Sequence, residues 1–191
     1  SKLSHLHFTA TENYRRRVIQ LGESPERVFN VGSPGLENIH RLRLLEKEEV
    51  ELAIGLSLGP RNLLVTYHPE TLSLGKNSVN FTALLRALDD YSEVKLIFTK
   101  SNADADGRII NKMIDDYVEN NSEKAVAHKS LGQQVYLSAI KFMDGIVGNS
   151  SSGIIEVPSF RKGTINIGDR QSGRIQASSV INYEPTYKSI T

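Results

Sequence analysis

Cysteine is absent from this chain, which excludes disulfides and thiolate metal sites. Net charge is nearly absent too: 23 basic residues stand against 22 acidic ones, a balance of +1. Such a chain has no field with which to steer nucleic acid or an anionic membrane surface, and neither is expected as a partner. No apolar run approaches the length that spans a bilayer, and no signal peptide is expected from the sequence. Internal repeats and low-complexity segments are also missing. Asn-x-Ser/Thr matches such as Asn80 and Asn149 are therefore read as chance. The expectation is a soluble, cytoplasmic protein without a metal or cofactor.

What remains is an ordinary globular composition, 39% hydrophobic and 24% charged over 191 residues. That suits one large domain, or one half of a two-domain enzyme. The chain enters a strand near Leu6 without a lead-in and stops at Tyr187 to Thr191, where a helix is starting. It reads as a piece of a longer protein.

Local patterns alternate. Strands are expected at Leu6–Phe8, Arg27–Val31, Leu63–Tyr67, Val94–Thr99, Ala125–Ala127, Gly145–Val147 and Thr164–Ile167. Helices are expected between them: one capped by Thr11, others near Leu36, over Lys47–Leu56 and Val79–Leu88, around Ile109–Val118 and Val135–Ile140, and after Ser152. Strand–helix alternation of this kind predicts an α/β fold with a doubly wound parallel sheet. In such sheets ligands lie beyond the carboxyl ends of the strands. The residues at those ends are polar: His68-Pro69-Glu70, Lys100-Ser101-Asn102, His128-Lys129, Asn149-Ser150-Ser151 and Gly168-Asp169-Arg170.

The most informative stretch runs from Gly148 to Arg174. An apolar strand enters Asn149-Ser150-Ser151-Ser152-Gly153, and that loop opens a helix. Free backbone N–H groups, the Ser150 and Ser151 hydroxyls and a helix dipole would there face an anion such as phosphate. The same pattern also describes an ordinary capped turn. It is not a Walker loop, a dinucleotide fingerprint or a Gly-x-Ser-x-Gly elbow. Glu156, expected on the first turns of the helix, suits either the helix dipole or a ribose diol. Arg170 and Arg174 suit phosphate or a local surface pair with Asp169. His68 is either a surface loop histidine or a group that contacts a diphosphate or moves a proton. Nothing near His128 raises it above a structural role. Asn102, Asp104, Asp106 and Gly107 mimic a calcium loop, but Met113 stands where its bidentate glutamate belongs, and a strand precedes it. Calcium is rejected.

Taken together, Phe8–Glu12 with Gly32–Gly35, Tyr67-His68-Pro69-Glu70, Asn102 with Asp106–Ile109, and Gly148–Arg174 resemble the C-terminal half of the UDP-N-acetylglucosamine 2-epimerase family. The resemblance implies a Rossmann-like C-terminal domain, residues 1–191, of a two-domain glycosyltransferase-B type fold with UDP in its cleft. It implies that His68 is the functional histidine. It also implies that Asn102, Ser150, Ser151, Glu156 and Arg170 bind UDP, Glu156 through the ribose. The Ser-Ser-Ser-Gly loop and Asn166-Ile167-Gly168-Asp169-Arg170-Gln171 look like the hydrolysing branch, which releases UDP and a free 2-epimer for sialic or legionaminic acid synthesis. The family's acid/base carboxylates lie in the N-terminal half, so these 191 residues alone are expected to bind UDP weakly without turnover. The expected partners are a UDP-sugar substrate and, at full length, further copies of the same protein. The alternative is a UDP-sugar-dependent glycosyltransferase of the same fold.

Overall fold

A computed structural model describes residues 3–70, 75–102 and 105–191. Asp104 of the calcium-like stretch lies outside the described residues. The chain forms two compact units, Ser1–Leu42 and Arg43–Thr191.

The first unit is small. Strand β1 (His7–Thr9) pairs in parallel with β2 (Val28–Asn30), and helix α1 (Glu12–Gln20) connects them. Thr11 caps α1 as its sequence predicts, its hydroxyl accepting the Tyr14 N–H at 3.2 Å. Helix α2 (Pro34–Arg41) follows, with proline in its first turn, where the missing N–H costs no helical hydrogen bond.

The second unit begins with helix α3 (Lys47–Ile54). It then alternates: β3 (Arg61–Thr66), α4 (Asn77–Asp89), β4 (Val94–Thr99), α5 (Ala105–Asn120), β5 (Ala125–His128), α6 (Gly132–Phe142), β6 (Gly145–Gly148), α7 (Ser152–Ile155), β7 (Gly163–Ile167), β8 (Val180–Tyr183) and α8 (Tyr187–Ile190). All six of its strands are parallel, in the order β5-β4-β3-β6-β7-β8. This is the doubly wound parallel sheet that the alternation predicts.

Helices cover both faces, which is why the central strands read as nearly continuous apolar runs. Val65, Tyr67, Leu96 and Phe98 form one buried cluster with Phe81, Leu84 and Leu88 of α4 and Ile110, Ile114 and Tyr117 of α5. Leu64 and Ile97 alternate to the opposite face, and α3 and α6, which pack on each other, bury Val50, Ile54, Leu137 and Ile140. No helix among the described residues is long and apolar enough to cross a membrane.

The strand order fixes where a ligand can sit. From the centre, β3, β4 and β5 progress to one side, while β6, β7 and β8 progress to the other. The two directions part between β3 and β6, so the crevice at their carboxyl ends is the switch point of the sheet. Register aligns one row there: His128, Thr99, Thr66, Gly148, Asn166 and Asn182. That row is polar, or glycine, from edge to edge, and between β7 and β8 one further pair, Ile167 with Tyr183, follows it.

Two elements depart from expectation. Strand β8 was not visible in the sequence pattern. The helix after the serine loop is only four residues long, and Glu156 is its C-terminal cap rather than a member of its first turns. Pro158 explains the stop, because proline lacks the N–H that a continuing helix needs and its ring meets the preceding turn. A 3-10 turn, Val157–Phe160, replaces the expected helix and ends at Arg161, with φ of 57°.

Candidate functional site at the switch point

Three asparagines hold the loops at this edge by one device. Each uses both ends of its side-chain amide on the backbone of a single loop residue. Asn149 accepts the His68 N–H at 2.7 Å and donates to the His68 carbonyl at 2.8 Å. Asn111 does the same for Ser101, at 2.8 and 3.1 Å. Asn77 does so for Glu70, at 2.9 and 3.3 Å, and also donates to Asp106 at 2.9 Å. A loop lacks ladder partners, and these amides supply them as a neighbouring strand would. The loops leaving β3 and β4 are thereby tied to α4, to α5 and to the residue that follows β6.

Asn149 is the hub. It is fully buried, and its own N–H reaches the Thr66 carbonyl at 3.0 Å. Its carbonyl accepts from the Arg170 guanidinium at 3.0 Å and from the Gln171 side chain at 2.8 Å. Glu70 supplies a second tie to the loop after β7, its carboxylate accepting the N–H groups of Asp169 and Arg170 at 2.9 and 3.2 Å. Gly168 makes room for that carboxylate, since a Cβ there would lie 2.3 Å from Glu70 Oε1.

A cavity of about 310 Å³ opens between these loops and the N-terminal end of α6. His68, Thr66, Thr99 and Ser150 line it on the sheet side, and Lys129, Gly132 and Tyr136 on the other. Thr66 and Thr99 share a hydrogen bond between their hydroxyls on its floor. Lys100 also lines the cavity but is paired with Asp115 at 2.6 Å. The ion pairs among the described residues do not include Lys129.

The six candidate residues are not all brought to this cavity. His68 and Ser150 line it. Ser151 caps α7 beside Ser150, and the N–H groups of both have no protein acceptor among the described residues. A four-residue helix carries little macrodipole, so an anion here would depend on those N–H groups, the hydroxyls and nearby cations rather than on the dipole that the sequence suggests. Arg170 joins the site through the Asn149 carbonyl and forms no ion pair with Asp169 among the described residues. Burial first, and the like charge of Arg174 second, lower its pKa, with Glu70 acting in opposition. It remains a cation, because guanidinium holds its proton in proteins. Asn102 is exposed on the loop after β4.

Glu156 caps the C-terminal end of α7 and does not line the cavity. Its Oε2 is buried without a hydrogen-bond partner, as are the hydroxyls of Ser152 and Tyr136. Burial pushes the Tyr136 phenol up, with Glu156 adding in the same direction while Ser152 and Thr66 oppose. That phenol stays neutral and is a donor facing these groups. The Tyr136 hydroxyl is thus within reach of Ser152 and Thr66, and Glu156 lies close enough to act on it. His128 is structural: its Nε2 lies 2.9 Å from the Ile54 carbonyl in the last turn of α3.

Sequence reasoning missed Asn149 as a functional residue, along with Tyr136, Thr66 and Thr99. The threonines end β3 and β4 and were findable by the rule that located the site. The same rule placed Asn149 on this edge, but neither its clamp on His68 nor the place of Tyr136 was findable, because their partners lie far away in the chain.

Fold and site together define a doubly wound α/β body with a polar ligand cavity at its switch point. The chain belongs to the UDP-N-acetylglucosamine 2-epimerase family, whose model matches residues 1–191. It is 44% identical over 184 residues to the GDP/UDP-N,N'-diacetylbacillosamine 2-epimerase (hydrolyzing) of Campylobacter jejuni, covering 96% of this chain and 48% of that protein. It is 45% identical over 183 residues to the polysialic acid biosynthesis protein P7 of Escherichia coli, covering 95% and 46%. The chain thus spans about half the length of the curated relatives it matches. Among solved structures it resembles the S. aureus MnaA–UDP co-structure, with a TM-score of 0.73 and 18% identity over 99% of this chain and 49% of that one. It also resembles the UDP-GlcNAc 2-epimerase from Neisseria meningitidis bound to UDP-GlcNAc, with a TM-score of 0.66 and 16% identity over 99% and 51%. At these identities the structural likeness is one of fold.

Proposed function

We propose that these residues form the C-terminal, nucleotide-binding half of a hydrolysing 2-epimerase acting on a UDP-linked 2-acetamido sugar. The observation that carries this is family membership along the whole chain, with 44% identity to a relative whose name states hydrolysis. The cavity at the switch point supports it independently, because that is where such sheets take nucleotides.

In this proposal the diphosphate lies over Ser150 and Ser151, which offer their N–H groups and hydroxyls, the Ser150 hydroxyl also accepting the Ser152 N–H at 3.3 Å, with Arg170 and Lys129 as the cations nearby. Glu156 takes the ribose diol, since a carboxylate oxygen can accept from a hydroxyl on each side. Asn102 adds a polar contact from the loop after β4. His68 faces the reacting end, where it stabilises or protonates the departing diphosphate.

The reaction has two stages. The proton at C2 is removed, the C1–O bond breaks, and its electron pair leaves on the UDP oxygen, giving a glycal. Water then adds its hydroxyl to C1 while C2 takes a proton on the opposite face. The base that acts at C2 is assigned to the other half of the relatives' length, not to this chain.

Product analysis of the full-length protein without any acceptor tests the proposal. Expected are UDP and a free 2-epimerised sugar in equal amounts, with one solvent deuteron at C2 when the reaction is run in D2O. A sugar still linked to UDP would contradict hydrolysis. Absence of turnover until an acceptor is added would favour a glycosyltransferase of this fold.

A further inference from the structure

Ser101 sits on the loop leaving β4 and is only 8% exposed. Its Oγ lies 3.3 Å from Nδ1 of His68. Neither partner is loosely held. Asn111, from the body of α5, grips the Ser101 N–H and carbonyl at 2.8 and 3.1 Å. Asn149 grips the same two groups of His68 at 2.7 and 2.8 Å. Two loops from adjacent strands are thus fixed at their backbones by separate asparagines, and their side chains meet in this bond.

A histidine whose backbone is pinned still rotates about its side-chain bonds. The two ring nitrogens are distinct, and the bond made by one decides the orientation and protonation of the other. An imidazole that acts on a substrate must present one nitrogen at a set angle, and an error of about 1 Å in a reacting group is worth up to about 100-fold in rate. A hydroxyl at Nδ1 provides that orientation.

We propose that Ser101 is a positioning residue for His68: its hydroxyl engages Nδ1, sets the ring's rotation and assigns Nε2 to the substrate, while Asn111 holds Ser101 in place. This role presupposes that His68 acts on the substrate, as proposed above. A hydroxyl that merely filled space at the end of β4 would leave the electronic state of His68 untouched, and that difference is measurable.

The test uses the purified full-length protein with its UDP-sugar. Ser101→Ala is expected to lower kcat by about 5- to 10-fold, the loss of one hydrogen bond of ordinary strength, with KM unchanged within twofold. Ser101→Thr, which retains the hydroxyl, restores most of the rate. The second readout needs no turnover. With 15N-labelled histidine, Ser101→Ala is expected to shift the His68 Nδ1 resonance from its wild-type position, because the hydroxyl bonded to that nitrogen is gone. An unchanged His68 Nδ1 resonance together with unchanged kcat, in a protein that His68→Asn inactivates, would overturn the role of Ser101 and leave His68 standing. A His68→Asn variant that turns over at the wild-type rate would instead remove the function of His68, and the positioning role with it.

Discussion

Gly148→Ala is expected to unfold the second unit or to lower its melting temperature by about 10 °C or more, a shift that corresponds to roughly 4 kcal/mol in a domain of this size. Gly148 ends β6 at φ of 134°, and a Cβ built there lies 1.9 Å from the Thr66 carbonyl oxygen and 2.6 Å from its carbon. The obstacle is backbone, and backbone in register: Thr66 pairs with Gly148 on one side and Thr99 on the other. It cannot swing aside as the end of a side chain would. The close approach is also what brings Asn149 onto the Thr66 carbonyl at 3.0 Å, so relaxation to admit a methyl would open the crevice itself. Gly132→Ala separates the two causes. That glycine also has a positive φ, 66°, but nothing lies within 4 Å of its Cβ position. It is expected to cost only about 1–2 kcal/mol, the conformational penalty alone. Thermal melts of the two variants side by side check the prediction, and equal melting temperatures would show that the close approach at Gly148 is not decisive.

Asn149→Ala is expected to destabilise the protein by about 2–5 kcal/mol and to disorganise the site. The variant leaves the His68 N–H and carbonyl without their partners, and each such group costs about 1–3 kcal/mol when buried. Asn149→Asp is no conservative replacement, because it keeps the acceptor for the His68 N–H but sets a carboxylate oxygen against the His68 carbonyl. The bonds that Arg170 and Gln171 make to the Asn149 carbonyl survive either change, since they use the backbone. The loss is thus confined to the loop carrying His68. Denaturant unfolding and UDP titration of both variants measure it, and a midpoint within error of wild type would refute the clamp.

Periodicity and punctuation made most of the second unit legible. Strands β3 to β7 announce themselves as short β-rich runs, and the helices between them carry apolar residues at helical spacing. That pattern, with the rule for parallel sheets, is enough to place the polar rim. Strand β8 escaped because it is four residues at a sheet edge, with Ile181 and Asn182 exposed and a serine pair before it. Among the described residues its one partner in the sheet is β7, so half of the apolar pattern that marks a buried strand is missing. The brevity of α7 was written in Pro158, whose effect reaches back to the turn before it.

The clamps were illegible for another reason. Asn149 acts on a residue 81 positions away, and Asn111 is separated from Ser101 by the first turns of α5. An asparagine after a strand has the same local signature whether it caps, turns or clamps. Tyr136 is similar, since its place on α6 reads as one more apolar position of an amphipathic helix. Only the fold shows its hydroxyl facing Ser152, Glu156 and Thr66.

Calorimetric titration of the purified protein with UDP, in wild type and in Glu156→Gln, tests the central claim most directly. If the crevice between β3 and β6 takes the nucleotide with Glu156 on the ribose, UDP binds once per chain. The variant then loses about 10- to 100-fold in affinity, the worth of a hydrogen bond to a charged group, while inorganic pyrophosphate binds both proteins equally. UDP that does not bind, or that binds the variant as tightly as wild type, would contradict it.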